Sequence, residues 1–261
     1  MIEQLEARIA PAAVATFFEA DGDKVTVKSK YGTSANLQAA LQDQNNNPIS
    51  VGQAGITSFT INLLTNATIA AEFAGTDLKV SASGGTGATA KSVNYVSINA
   101  YAGGDSESMD LGKVTVKGKL VYIDAGDFDL GTPAIKVLDV SSMGPGLGSS
   151  SATTSEICGD ITSVKIKSNF DGYIISKDGA GAANYASQFG TNIGSFTVGT
   201  EIAAGVGDDV GHLQVRTIAN LTVKGFFFGT GTATNCGVIE ATSIKKISIN
   251  EMGIKARIVL A

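Results

Sequence analysis

Asp124, Asp127 and Asp129 stand close together in the segment Asp124-Ala-Gly-Asp127-Phe-Asp129, and Asp105, Glu107 and Asp110 form a second acidic stretch. Carboxylates so grouped could hold a structural Ca²⁺, or serve as the acidic cluster of a β-helical polysaccharide lyase. Calcium takes six to eight oxygens in a defined cage, and neither stretch has the spacing of an EF-hand loop or of the glycine-rich nonapeptide repeat. Solvated turn aspartates are the plainer reading, because Asp favours such corners for its own backbone hydrogen bonds. The Asp124, Asp127 and Asp129 group is therefore a weak metal candidate, and no other cofactor is expected.

His212 is the only histidine, in Val210-Gly-His-Leu-Gln-Val215. A hydrolytic triad would have to use it, yet no Gly-x-Ser-x-Gly elbow leads into a helix, so a surface imidazole is expected. Gly84-Gly85-Thr86-Gly87 and Gly229-Thr-Gly231 open no helix and lack the lysine of a phosphate loop. No catalytic residue is assigned, and no enzyme is expected. Cys158 and Cys236, the only cysteines, fall three repeats apart. That is roughly 14 Å, beyond the ~7 Å between Cα atoms that a disulfide tolerates, so buried or free thiols are expected.

The elements that position these residues follow from a repeat. A period-two stretch ending on Val or Ile recurs ten times, for example as Gly22-Asp-Lys-Val-Thr-Val27, Ile161-Thr-Ser-Val-Lys-Ile166 and Ile218-Ala-Asn-Leu-Thr-Val223. Its last residues are 27, 61, 80, 98, 116, 137, 166, 198, 223 and 249. The steps have a floor near 18 residues and lengthen only through Gly-, Ser-, Thr- and Ala-rich insertions. One strand must stay in register while the corners grow, which is how a solenoid behaves. A second strand follows several anchors, as in Leu120-Val-Tyr-Ile123 and the C-terminal stretch from Ile254 to Leu260, and Lys-Gly or Lys-Ser pairs mark the turn before it. The spacing predicts an all-β chain, a right-handed parallel β-helix of about ten coils. Residues 1–50 form an N-terminal segment with the first strand and a short helix; residues 51–261 form the β-helix body. The one expected helix runs from Ser34 to Asn45, with Leu37, Ala40 and Leu41 on one face, and covers the N-terminal end of the core.

Composition agrees with this reading. The 261 residues carry 32 Gly, net charge −5 and only 16% charged side chains against about 25% in ordinary domains, while 43% are apolar. There is no global basic field for nucleic acid, no disulfide scaffold and no apolar run long enough to span a membrane as a helix. The start, Met-Ile-Glu-Gln-Leu-Glu-Ala-Arg, does not read as a secretory signal.

Leu5-Glu-Ala-Arg-Ile-Ala-Pro-Ala12, Asp21-Gly-Asp-Lys-Val-Thr-Val27 and Leu111-Gly-Lys-Val-Thr-Val-Lys-Gly118 resemble the LEPR/LESRIAP-type glycine-rich β-strand-repeat proteins, large surface or exported proteins of Verrucomicrobia and Planctomycetes. Ile123-Asp-Ala-Gly-Asp127 and Ser141-Ser-Met-Gly144 fit the same pattern. The resemblance covers most of the chain. It implies an exported, right-handed β-helical protein with no catalytic residues to carry over; a basic leader before the motif is missing, and the chain is short.

The C-terminal strand, 252–261, ends on four apolar residues with no polar cap. An uncapped solenoid end exposes unpaired backbone and open core. The expected edge comprises Ile254, Ala256, Ile258, Val259 and Leu260, meeting Val25 and Val27 of the next subunit head to tail. The expected function is a structural, self-assembling subunit of an extracellular or cell-surface filament, tube or layer, with the chain itself as partner. The alternatives are a monomeric adhesin or carbohydrate-binding β-helix, and a β-helix polysaccharide lyase.

Overall fold

Alternation of buried and exposed side chains runs through the strands, as in Ala13–Phe18 and Asp23–Ser29, and each alternating stretch presents one apolar face to a shared core. A computed structural model describes residues 12–85, 91–101, 108–127, 132–145, 153–177, 190–202, 209–227, 236–253 and 255–260. The chain begins with β1 (Ala13–Phe18), β2 (Asp23–Ser29), α1 (Ser34–Ala39), β3 (Leu41–Asp43), β4 (Phe59–Asn62), α2 (Ala67–Phe73), β5 (Leu78–Gly84) and β6 (Val93–Asn99). It continues through β7 (Leu111–Asp124), β8 (Ile135–Met143), β9 (Thr154–Ile157), β10 (Ile161–Ile166), β11 (Tyr173–Ser176), β12 (Asn192–Val198) and β13 (Glu201–Ile202). The last elements are β14 (His212–Gln214), β15 (Thr217–Phe227), β16 (Val238–Ala241), β17 (Ser243–Met252) and β18 (Arg257–Leu260).

The chain is all-β with two largely parallel sheets. One row of the larger sheet runs β1-β2-β5-β7-β8-β10-β12-β15, with β17 beyond β15; the smaller sheet runs β9-β11-β14-β16-β18, parallel throughout. From β8 to β12 and from β14 to β18, successive strands alternate between the two sheets. Val116, Val140, Ile166, Val198, Val223 and Ile249 pair in sequence along one row, and all but the last are buried.

This register corrects three expectations. The sixth repeat ends at Val140, not Val137, which pairs with outward-facing Lys113 and Ser163. The early copies ending at 61 and 98 belong to a separate row, in which β4 pairs β6 and β6 pairs the C-terminal half of β7. Ten equivalent strands therefore become seven parallel ones in the main row, β5, β7, β8, β10, β12, β15 and β17, among the described residues.

The N-terminal end also differs. β1 and β2 form an antiparallel hairpin, and β2 meets β5 antiparallel on its other side. Val25 and Val27 are fully buried in a strand paired on both edges, so they are no assembly edge. The outer edge of β1 is covered: the Ser34 hydroxyl accepts from Val14 N–H at 2.9 Å, and residues 52–56 exchange backbone bonds with Thr16, Phe18 and Ala20. α1, capped by Thr33, is shorter than expected. The Asp43 carboxylate accepts from the N–H groups of Asn45 and Asn47 at 2.8 and 2.9 Å, a turn that competes with continued helix. α2 was not anticipated; Asn66 caps it by accepting from Ile69 N–H.

Neighbouring strands approach closely at Gly126, where φ is +107° and an added Cβ would fall 1.9 Å from the Cys158 carbonyl oxygen. Cys158 and Cys236 are buried thiols with no disulfide between them. Deep in the stack, Phe196 packs edge-on against Phe170 at 5.4 Å between centroids. Phe196→Ala is expected to lower unfolding stability by about 3–5 kcal/mol in denaturant titration. Val51→Ala, at a position 74% exposed, should stay within about 0.5 kcal/mol of the parent.

Candidate functional site

Among the described residues β17 pairs with β15 alone and β18 with β16 alone, so each sheet ends there on an edge strand. In β17 the residues Ile244, Ile247, Ile249 and Met252 stand in register with Ile218, Leu221, Val223 and Phe227. Those partners are buried by a strand on each side. Among the described residues Ile247 and Met252 have a paired strand on one side alone and are 48% and 49% exposed, whereas Leu221 is 1% exposed. In β18, Leu260 lies in register with buried Ala241 and is 62% exposed; Val259 pairs with Glu240 and is 38% exposed. Ala256 and Ile258 are half-buried against the core. Ile254 lies outside the described residues. The expected edge joined Ile254 to Leu260 with Val25 and Val27; the two valines are buried, and the exposed residues of the preceding strand are Ile247 and Met252, with Ile249 half-buried beside them. Their signal was present, because Ile244 to Ile249 is the last copy of the repeat.

Of the acidic residues singled out in sequence, Asp110, Asp124 and Asp127 are described. The Asp124 carboxylate accepts from Glu156 N–H at 2.8 Å, on the neighbouring strand, where Glu156 pairs with Lys177 at 2.9 Å. The Asp127 N–H reaches the Asp110 carboxylate instead. Asp129, Asp105 and Glu107 lie outside the described residues. Burial, with the Glu156 charge adding to it, pushes the Asp124 carboxyl up to about 7. Asp171 behaves alike: burial raises it to about 6 despite the Lys119 ammonium nearby. Both carboxyls can hold a proton near neutrality, which is an acid–base capacity.

His212 is not at the surface. It is 1% exposed, stacked flat on the Tyr173 ring at 4.5 Å, with Nδ1 3.1 Å from Asp209 and Nε2 3.6 Å from Glu240. Strand pairing explains this, since His212 sits between Tyr173 and Val238 on adjacent parallel strands. Gln214 completes the group, accepting from the Tyr173 hydroxyl at 3.0 Å and donating to Glu240 at 2.8 Å. This is a half-buried polar row around one buried imidazole, and no serine or cysteine is bonded to that imidazole among the described residues.

No helix among the described residues is long and apolar enough to cross a membrane. No protein-family model matches the chain, and no curated protein or solved structure does.

The Asp124 carboxyl gives a pH signature. Unfolded, it ionises near 3.8; folded, it keeps its proton to about pH 7. Its contribution to stability is therefore complete below about pH 4 and is lost as pH rises through 7. Asp124→Asn should make the fall in melting temperature between pH 4 and 8 shallower than in the parent; parallel curves would refute the assignment.

Proposed function

We propose that the chain is a structural, self-associating subunit built as a right-handed parallel β-helix, which joins to a second copy through its open C-terminal coil. The alternation of strands between two parallel sheets, at about 25 residues per return, supports the solenoid reading. Right-handedness follows the rule for parallel strand connections. Seven coils at roughly 4.8 Å give a rod of about 30 Å.

The observation that carries the proposal is the exposed end formed by Ile247, Met252, Val259 and Leu260, on the two strands that close the sheets among the described residues. Such an edge recruits another strand. The covered N-terminal edge argues against head-to-tail stacking and favours two C-terminal coils meeting about a two-fold axis. Antiparallel pairing of β17 with itself, centred on Ser248, sets Lys245 opposite Glu251 and Ile247 opposite Ile249. Lys245 then faces an opposite charge, Lys246 falls opposite the neutral Asn250, and the apolar columns run on through the junction. Such a doubled rod forms larger layers or filaments only through its sides. The family resemblance and the scarcity of charge support a place outside the cell.

Sedimentation of the wild type should show a concentration-dependent dimer. Ile247→Lys with Leu260→Lys should give monomers at every concentration. Lys245→Glu or Glu251→Lys alone should weaken association about tenfold, and the double exchange should restore it. A wild type that stays monomeric at high concentration overturns the proposal; loss of association without rescue overturns the antiparallel register.

One observation favours the carbohydrate-binding alternative. Lys28, Lys30, Lys79, Lys113, Lys117 and Lys167 line a shallow groove on the outer face of the larger sheet, with Asp77 and Asp139 the acidic members. In a chain of net charge −5 this local excess suits an acidic polysaccharide. Binding to polygalacturonate that weakens with salt, and at least tenfold in Lys79→Glu with Lys113→Glu, would favour this reading; equal binding to a neutral glucan would oppose it.

A further inference from the structure

The turn from β1 runs Glu19-Ala-Asp21-Gly22 and leads into Asp23, the first residue of β2. It brings one carboxylate oxygen from each of its three acids within 4.8 Å of the others. Glu19 is 2% exposed and Asp23 is fully buried. Part of each side chain is satisfied. Glu19 Oε1 accepts from Asn94 N–H at 2.9 Å, Asp23 Oδ2 accepts from Lys91 N–H at 2.8 Å, and Asp21 accepts from its neighbours Asp23 N–H and Asn94 Nδ2 at 3.2 and 3.1 Å. Two oxygens are left over. Glu19 Oε2 and Asp23 Oδ1 are buried with no hydrogen-bond donor, and neither acid has an ion-pair partner among the described residues.

Leaving buried carboxylate oxygens unmet beside further negative charge is costly, and a protein meets that cost with a proton, a cationic group or a metal ion. The spacing has room for the last of these. Two oxygens each about 2.4 Å from one calcium ion lie no more than about 4.8 Å apart, so the cluster is the size of a shared coordination sphere for a hard cation. The wall is tight as well: at Gly85, with φ +61°, an added Cβ would come within 2.0 Å of Asp23 Oδ1, so only bare backbone fits against the orphan oxygen. Carboxylates are ligands for Ca²⁺, Mg²⁺ or Mn²⁺ and poor ones for soft metals.

We propose that Glu19, Asp21 and Asp23 bind one divalent hard cation, calcium by size, which clamps the β1–β2 hairpin to the chain at Lys91 and Asn94. The ion neutralises the turn and locks the cover over the N-terminal edge, since the same three side chains already hold the amides that lead into β6. The inference is independent of how the C-terminal end associates.

The test is calorimetric titration of Ca²⁺, with Mg²⁺ and Mn²⁺ as parallel arms, into the full chain stripped with a chelator, together with melting curves with and without ion. One ion per chain and a rise in melting temperature are expected. Asp21→Asn, at the half-exposed member, should weaken binding at least tenfold and remove most of the rise. Glu19→Gln should abolish binding while leaving the metal-free melting temperature equal to or above the parent's, which a purely structural role for the charge would not give. Asp124→Asn should bind as the parent does. No saturable heat and no melting shift at millimolar ion, or binding that survives Asp21→Asn but is lost in Asp124→Asn, overturns the proposal.

Discussion

Apolar side chains stacked in register along parallel strands are what the rest of this protein depends on. Val114, Leu138, Val164, Phe196, Leu221 and Ile247 form one such column, and Val116, Val140, Ile166, Val198, Val223 and Ile249 form the next. Each inner member is buried because the strands on either side cover it, while backbone bonds fix the spacing. A slip of one residue would turn a strand's apolar set outward, so register is specified far more strongly than loop length. The same condition exposes Ile247 and Met252, because among the described residues β17 is covered by a paired strand on one side alone.

Register decides the neighbours of the polar groups too. Asp124 meets Glu156 and, through it, Lys177, residues far away in sequence but adjacent across strands. His212 is sandwiched by Tyr173 because their strands pair, although nothing around His212 in the sequence mentions an aromatic partner. On the outer face, Lys28 lies directly across from Lys79, and like charges gather wherever the repeat puts the same residue type at the same height. The cost of such proximity is lowered by solvent on the outer face and raised by burial at Asp124 and Asp171.

The body of the fold was legible in the sequence because Thr217 to Val223 and Ser243 to Ile249 are near copies whose alternation leaves little choice of inward face. The exact phase was less so. Pro133 to Val137 scans like the other copies, and only pairing with Val116 and Ile166 shows that Val140 is the equivalent residue. The N-terminal hairpin had two signals, the Asp21-Gly22 turn and the alternation of Ala13 to Phe18, but the repeat beginning at Gly22 overshadowed both. With the hairpin overlooked, its three acids could not be recognised as one cluster. The burial of His212 was invisible, since a three-residue strand carries too little pattern to assign a face.

The columns also bear on how such a chain can vary over time. Leu221 rests on Phe196 much as Ile247 rests on Leu221, and Val198, Val223 and Ile249 recur at intervals of 25 and 26 residues. Removing or duplicating one interval leaves every surviving contact of the same kind, with neither terminus altered. Length is thus a nearly neutral variable in this architecture: recombination between copies can retune how far apart the two ends stand without designing a new interior.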